Sequence, residues 1–259
     1  MKISVVTVCY NAADTIEKTM LSVLNQTYHD IEYIIIDGGS TDGTVEIIRK
    51  YADRIAYWVS EPDKGIYDAM NKGIKVATGE WINFMNAGDR FYDELVLENV
   101  FHSDYAPDCL VIYGKTKVHY RWGTYIVTPS NIATLRLRMS LCHQSTFIRL
   151  IEHKKRLYDL NCRIVADYNF FHTVYMEKPS GFIYYSGIIA DYDAIKGISA
   201  NNINMLQSET EKITESTSVF IKIKQILIRC LPVKLQDMLY CVYLFAHYRY
   251  KKVAKSKKR

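Results

Sequence analysis

The chain has 259 residues, 49% of them apolar and 24% charged, so it has a globular composition and enough length for a substantial core. Its six cysteines contain no C-x-x-C pair, which argues against a zinc site or a disulfide framework and favours reduced thiols in the cytosol. The formal net charge is +5, yet residues 220–259 hold eleven Lys/Arg and one acid, so a basic tail follows an acidic body. We expect no secretion signal, because the first residues lack an apolar segment of signal-peptide length.

Residues 1–92 alternate between buried strands and helices. The runs "ISVVTV" and "IEYIIID" are continuous and β-branched, which is typical of parallel strands buried on both faces. A helical stripe separates them, and Asp14 with Glu17 three residues later predicts a capping box at its start. Two further strands, "IAYWVS" and "EWINFMN", flank the helix "YDAMNKGIKVA". This order predicts right-handed βαβ units in a mostly parallel sheet.

The carboxyl ends of these strands should meet at one edge of the sheet, where open α/β sheets bind ligands. The strongest local signal there is "IIIDGGSTDGT". Asp37 ends a strand, the two glycines let backbone approach a ligand, and the amides that open the next helix favour anions. An ordinary βα turn with a capped helix explains the motif as well. No Rossmann dinucleotide motif and no P-loop is present.

The chain after residue 92 is less regular. The runs "CLVIYG" and "KVHYRWGTYIV" predict strands, the second turning near Trp122 and Gly123. The segment "RLYDLNCRIVADYNFFHTVYM" passes from a loop into a helix with Asp167 near its start. Residues 200–218 are rich in Asn, Ser, Thr and Glu, so we divide the chain into a domain at 1–210 and a tail at 211–259.

The order of the motifs resembles that of the family 2 glycosyltransferases. The resemblance runs almost continuously from residue 1 to about 92, and "CHQSTFIR", "IVADYNFF" and "KGIS" extend it to about residue 200. It implies an α/β fold of the GT-A type, with a Rossmann-like nucleotide-binding half and an acceptor-side half. It also implies inverting sugar transfer from a nucleotide sugar, commonly a UDP-sugar, with Mg²⁺ or Mn²⁺.

The resemblance places the donor nucleotide sugar along the first three strand ends. Asp37 would accept a hydrogen bond from the base, a suitable role for a fixed carboxylate. A solvated turn is the plainer interpretation of Asp63 and Lys64. The side chains that the resemblance assigns to donor binding are Thr7, Tyr10, Asn11, Asp37, Asp63, Lys64, Asp68 and Asn71.

The corner "NAGD" is the predicted metal site. The family usually carries adjacent acids here, the last of which contacts the metal; this chain keeps that acid as Asp89 and has Gly88 before it. A single carboxylate can suffice, because Mg²⁺ is held by one or two carboxylates, substrate phosphates and waters. Ala87 and Gly88 would line the donor, and Arg90 could offset charge on the departing diphosphate. An inactive site is the alternative.

The resemblance also supplies the catalytic base. An acceptor hydroxyl must lose its proton as it attacks, and the acid of "IVADYNFF" in this role is Asp167. Ala166 precedes it where the family often has another acid. Capping of the following helix is the structural alternative for Asp167. His143 resembles a family residue near the donor diphosphate and acceptor, and Gly197 and Ser199 would belong to a loop that closes on the donor.

The tail has two apolar stretches separated by Pro232, and the second is about fourteen residues long. That is short for a transmembrane helix, which needs roughly 20. We expect a helical, basic segment on an anionic membrane surface, which would suit a lipid-linked saccharide acceptor and a cytoplasmic enzyme at the inner face of the membrane. Packing of this helix on the domain is the alternative; nucleic-acid binding is disfavoured.

Two other functions stay open from the sequence. A nucleotidyltransferase of related fold should carry a Gly- and Arg-rich loop after the first strand, which this chain lacks. A catalytically inert nucleotide-sugar-binding or scaffold protein is conceivable because of the missing acid at Gly88. We favour the glycosyltransferase, acting on a hydroxyl of a saccharide or lipid-linked saccharide in cell-surface polysaccharide synthesis.

Overall fold

The structure is a computed structural model that describes residues 1–102, 104–195, 202–214 and 249–252. Ten strands of these residues form one mixed sheet. Its first half is parallel, with strand order β4-β1-β2-β3. The elements of this half are β1 (Ile3–Cys9), α1 (Ile16–Leu24), β2 (Ile31–Asp37), α2 (Thr44–Arg49), β3 (Tyr57–Ser60), α3 (Ile66–Val76) and β4 (Trp81–Phe84).

The second half is mostly antiparallel and continues the sheet from β4. Its elements are β5 (Arg90–Phe91), α4 (Val96–Val100), β6 (Val111–Tyr120), β7 (Gly123–Thr128), β8 (Thr146–Arg149), α5 (Leu150–Lys155), α6 (Ala166–Glu177), β9 (Phe182–Asp193), α7 (Ile203–Thr214) and β10 (Arg249–Lys252). β8 joins β4 to β6, and β9 lies between β5 and β6. The predicted α/β sheet of the GT-A type is confirmed.

Helices cover both faces of the sheet. All seven residues of β1 are buried, and alternate side chains of a strand point to opposite faces. Val6 therefore packs in one core with α3 and α6, and Val5 in a second core with α1 and α4. Gly73 on α3 is required for this packing, because a Cβ there would lie 2.5 Å from Cγ1 of Val6.

One sequence prediction about a helix is wrong. α1 follows Thr15 without a side-chain cap, so Asp14 and Glu17 form no capping box; the carboxylate of Glu17 instead accepts from the Tyr51 hydroxyl at 2.8 Å. The helix predicted for the second apolar stretch of the tail lies outside the described residues, and residues 249–252 after it form β10 and pair with β7.

The predicted division after residue 210 falls inside α7, which continues to Thr214. Among the residues that the structure describes, no helix is both long and apolar enough to cross a membrane.

Candidate active site

The carboxylate of Asp37 is fully buried and is surrounded by donors from its own chain. It accepts hydrogen bonds from the amides of Gly39 and Ser40 and from the hydroxyls of Ser40 and Ser60, with a further contact from the Cys9 thiol. Burial acts to raise its pKa, but the serine hydrogen bonds outweigh it and hold the pKa of Asp37 below its ordinary value. A nucleobase could reach this carboxylate only if a serine hydroxyl turned away.

The loop after β1 is tied to the loop after β2. Asn11 has a left-handed backbone, with φ 47°. Its side-chain oxygen accepts a hydrogen bond from the backbone amide of Thr41 at 3.0 Å, and its backbone amide donates to Ser40 Oγ at 2.7 Å. Tyr10 beside it is 66% exposed, so its ring is available for stacking. Thr7 is fully buried and donates to the carbonyl of Met85 at 2.7 Å, so its side chain is not part of the open surface.

The segment after β3 closes over Gly38. A Cβ on Gly38 would lie 2.5 Å from Oδ2 of Asp63 and 3.4 Å from the Tyr10 ring, so only glycine lets these groups approach. Asp68 accepts from the amide of Lys64 at 3.0 Å and shapes the same turn.

Asn71, which the sequence places in the predicted donor set, is held by the loop before α6. Its side chain is buried and pairs with both backbone groups of Tyr158, at 2.9 Å and 2.8 Å. Because its amide already makes these two bonds, we assign Asn71 to packing of α3 against the loop before α6.

Asp89 is 7% exposed and has one side-chain donor, Gln144, whose Nε2 lies 2.7 Å from Oδ2. Burial raises the pKa of Asp89 to about 6, with opposing effects from Gln144 and from the charge of His143. Thr19 fixes the backbone of the corner, since its hydroxyl donates to the carbonyl of Asp89 at 2.6 Å and accepts from the amide of Gly88 at 3.0 Å. The corner therefore presents one buried carboxylate, which Gln144 holds in place.

Asp167 lies in the first turn of α6 and is joined to His143. The Nδ1 atom of His143 is 3.1 Å from Oδ2 of Asp167, and the two side chains are 18% and 14% exposed. The other oxygen, Oδ1, accepts from the amide of Tyr168 at 2.8 Å and lies 3.0 Å from the Tyr67 hydroxyl. On its far side, Nε2 of His143 is 3.2 Å from Nδ2 of Asn86.

These contacts put the predicted metal ligand and the predicted base in one cluster. His143 and Gln144 are consecutive residues of a short 3₁₀ turn, and they hold Asp167 and Asp89 respectively. The sequence profile of glycosyl transferase family 2 matches residues 4–167, which is more than half of the chain. The chain belongs to that family.

Comparisons with other proteins agree with this membership. The glycosyltransferase is 28% identical over 238 residues to the PGL/p-HBAD biosynthesis glycosyltransferase of Mycobacterium tuberculosis (strain ATCC 25177 / H37Ra), covering 88% of this chain and 90% of the relative. It superposes on S. aureus TarS 1-349 in complex with UDP-GlcNAc with a TM-score of 0.61 and 18% identity, covering 78% of this chain and 61% of that one. For the mannosyltransferase PcManGT from Pyrobaculum calidifontis, in complex with GDP-Man and Mn²⁺, the TM-score is 0.60 and the identity 15%, with coverage of 96% and 81%.

In the glycosyltransferase, the turn that leads into α6 is held by a distant helix. Glu209 of α7 accepts hydrogen bonds from three successive amides, those of residues 163, 164 and 165, at 2.9, 3.0 and 3.2 Å. Residue 165 directly precedes α6, and a carboxylate near a helix N-terminus complements the helix dipole. α7 therefore holds the turn that presents Asp167, and no local sequence signal could have identified Glu209 because its partners are about 45 residues away.

Arg90 is engaged by a second acid that sequence analysis missed. Asp191 is 5% exposed and forms ion pairs with Arg90 at 3.3 Å and Lys117 at 2.8 Å, and a contact with His119. Burial acts against ionisation, but these cations hold the pKa of Asp191 below its ordinary value. Arg90 would have to share its charge between Asp191 and a diphosphate.

A surface groove of about 550 Å³ lies between α2 and β3, apart from the carboxylate cluster. It contains Ser40 and Ser60, whose hydroxyls donate to Asp37, and so adjoins the end of β2.

The metal implied by the family fits this site only in a restricted way. Within the described ranges, no three His, Cys, Asp or Glu residues are grouped closely enough to hold an ion. Asp89 nevertheless has the ligand chemistry that Mg²⁺ and Mn²⁺ prefer, and one of its oxygens accepts from Gln144. The site therefore fits a cation that receives most of its ligands from a diphosphate and water.

Proposed function

We propose that the protein is an inverting glycosyltransferase that moves a sugar from a nucleotide sugar, a UDP-sugar in the first instance, to a hydroxyl of a saccharide or lipid-linked saccharide. Cell-surface polysaccharide synthesis is the corresponding process. The observation that carries the proposal is the pairing of Asp89 with Gln144 and of Asp167 with His143 on consecutive residues. This arrangement supports a single site in which Asp89 acts on the leaving diphosphate and Asp167 acts on the acceptor hydroxyl.

The reaction would use Asp167 as the general base. The acceptor oxygen bonds to the anomeric carbon on the face opposite the nucleotide, its proton passes to the Asp167 carboxylate, and the bond from that carbon to the diphosphate oxygen breaks. Geometry supports this role, since Asp167 is fixed by Tyr168 and His143 and keeps part of its surface open.

Asp89 would hold Mg²⁺ or Mn²⁺. When bound, the ion neutralises charge on the departing diphosphate. Gln144 keeps the Asp89 carboxylate oriented, and burial lets a single negative charge act strongly on a cation. Thr19 prevents the corner from shifting when a ligand enters.

The donor would lie along the loops after β1, β2 and β3. Tyr10 and Asp63 lie against Gly38, and the backbone amide of Asn11 donates to Ser40 in the same loop. Asp37 holds this loop in place. Fold neighbours crystallised with UDP-GlcNAc and with GDP-Man and Mn²⁺ support a nucleotide-sugar donor and a divalent ion. Lys64 and Asp68 belong to the turn at the same edge.

The basic tail and the relatives support the acceptor and the location that we propose. The M. tuberculosis relative is named as a biosynthesis glycosyltransferase, which supports a role in assembling a larger glycan. The net charge of +10 between residues 220 and 259 would bring a cytoplasmic enzyme to the anionic inner face of the cell membrane. We keep the division into a catalytic part, 1–210, and a tail, 211–259, as part of this proposal.

A nucleotide screen tests the proposal. Thermal unfolding is measured with UDP, GDP, dTDP and ADP, each with and without Mn²⁺, and diphosphate release from the matching nucleotide sugars is followed with a panel of alkyl glycosides. We expect one diphosphate to raise the melting temperature selectively, more so with Mn²⁺, and its sugar to be consumed only with an acceptor. Absence of any shift would contradict donor binding; a shift indifferent to Mn²⁺ would contradict the role of Asp89.

A further inference from the structure

We propose that His143 is a positioning residue for the base Asp167, whose carboxylate it holds by a hydrogen bond from Nδ1. This inference rests on the proposed function, in which Asp167 removes the acceptor proton. It gives a specific role to the residue that the sequence placed near the donor diphosphate and acceptor.

The His143 ring has a polar partner on each side. Its Nδ1 atom lies 3.1 Å from Oδ2 of Asp167, and an N–H at this position donates to the carboxylate. Its Nε2 atom lies 3.2 Å from the side-chain amide of Asn86. The ring is therefore fixed between Asn86 and the carboxylate that it orients.

The side chain of Asn86 is buried, and its contact with His143 is the one hydrogen bond that it makes within the described residues. Asn86 also anchors the corner that contains Asp89, because its backbone carbonyl accepts a hydrogen bond from the backbone amide of Asp89 at 2.9 Å.

His143 determines which oxygen of Asp167 meets the acceptor. Oδ1 accepts from the amide of Tyr168 and lies beside the Tyr67 hydroxyl, which also has the carbonyl of Ile164 within 2.7 Å. Oδ2 accepts from His143 alone among the described residues, so one of its lone pairs stays available. A third group that orients a catalytic side chain is a general feature of such sites, and displacement by about 1 Å can cost about 10²-fold in rate.

Two substitutions separate positioning from mere bulk. In His143→Asn the amide nitrogen replaces Nδ1 at the same distance along the side chain, whereas in His143→Gln it replaces Nε2. We expect His143→Asn to keep kcat within about tenfold and His143→Gln to lower it about 10²-fold, both with an unchanged donor KM. Rates are measured as UDP release from UDP-N-acetylglucosamine, or GDP release from GDP-mannose if the nucleotide screen selects GDP. His172→Asn, on the same helix as Asp167 and outside the cluster, is the matched control and should be unchanged.

A double-mutant cycle with Asp167→Asn shows whether His143 acts through the base. We expect His143→Gln to cause no further loss in that background, because the interaction is already gone. Equal kcat for the two His143 variants, or an effect confined to donor KM, would overturn the inference while leaving Asp167 as the base. Full activity of Asp167→Asn would instead overturn the proposed function. Should a His143 variant fail to fold, Asn86→Leu removes the polar group that holds the far side of the His143 ring, and unchanged kcat in this variant would equally contradict the inference.

Discussion

Asp37 is the last residue of β2, and Asp89 lies in the loop after β4. These two strands lie on either side of β1, and both carboxylates are buried. Asp37 receives two backbone amides and two serine hydroxyls, and its pKa is lowered. Asp89 receives one side-chain amide, and burial raises its pKa to about 6. The first carboxylate stabilises a loop, whereas the second is kept ionised at a cost to the fold. Such costs are characteristic of functional sites.

The largest effect that we expect is that of Asp167→Asn on the transfer rate. Asp167, like Asp89, is assigned to the reaction, whereas Asp37 stabilises a loop. Asp167→Asn should lower the transfer rate about 10³-fold, because general-base catalysis contributes roughly 10² to 10⁴. Binding of the nucleotide diphosphate should be unchanged. Steady-state transfer and calorimetric titration of the diphosphate measure the two quantities, with Asp159→Asn on the exposed loop before α6 as a control. Retained transfer would remove Asp167 from the chemistry.

Asp37→Asn should lower the free energy of unfolding at pH 7 by about 3 kcal/mol, because an amide group would face several hydrogen-bond donors. The folded-state pKa of Asp37 is depressed below its ordinary 3.8, so its contribution is present above pH 3.8 and is lost as pH falls through the lower folded value. The difference between the variant and the natural protein should therefore shrink at strongly acid pH.

Urea unfolding at pH 7 and in acid checks this prediction for Asp37. Glu61→Gln, at an exposed ion pair with Lys72, is a suitable control and should change stability by no more than about 0.5 kcal/mol. A loss that is the same at both pH values would show that packing, and not charge, accounts for Asp37.

Asp89→Asn should change the free energy of unfolding in the opposite direction to Asp37→Asn and stabilise the fold. The folded-state pKa of Asp89 is raised from 3.8 to about 6, so its contribution is favourable at low pH and is lost as pH rises through 6. Removing the charge should therefore add on the order of 1 to 3 kcal/mol at pH 8, at about 1.4 kcal/mol per pKa unit, and about half as much at pH 5. Gln144 can still donate to the new amide oxygen. Melting temperatures at the two pH values provide the measurement, and no gain at pH 8 would refute the contrast with Asp37.

Gly38→Ala should have the smallest effect on stability, below about 1 kcal/mol, because the group in its way is the end of a half-exposed side chain. The added Cβ would lie 2.5 Å from Oδ2 of Asp63, and moving Asp63 should weaken diphosphate binding several-fold. Calorimetric titration measures this. In an Asp63→Ala background the alanine at position 38 should be harmless; a persistent defect there would mean that the backbone of the loop had changed.

The sequence was sufficient to predict the parallel half of the sheet and the loops at the carboxyl ends of its strands. Continuous buried runs such as Ile31–Asp37 and local turn residues specify strand ends, and the edge to which Asp37 and Asp89 belong follows from topology. The family resemblance added Asp167 and His143. Hydrogen-bond partners from distant segments could not be predicted, because periodicity describes one element at a time.

Three cases illustrate that limit. The side chain of Asn71 pairs with the backbone of Tyr158, 87 residues later. Gln144 reaches Asp89 across 55 residues, and Glu209 holds the turn before α6 across about 45. The capping box failed for a different reason, since Glu17 found a better partner in Tyr51 on a neighbouring segment.

The most direct test of the account is the effect of Mn²⁺ on diphosphate binding in the natural protein and in Asp89→Asn. Calorimetric titration with the selected nucleoside diphosphate, with and without Mn²⁺, gives four dissociation constants. The account predicts that Mn²⁺ tightens binding to the natural protein at least tenfold and leaves binding to Asp89→Asn within about twofold. An equal gain from Mn²⁺ in both proteins would contradict the assignment of Asp89 as the residue that holds the metal.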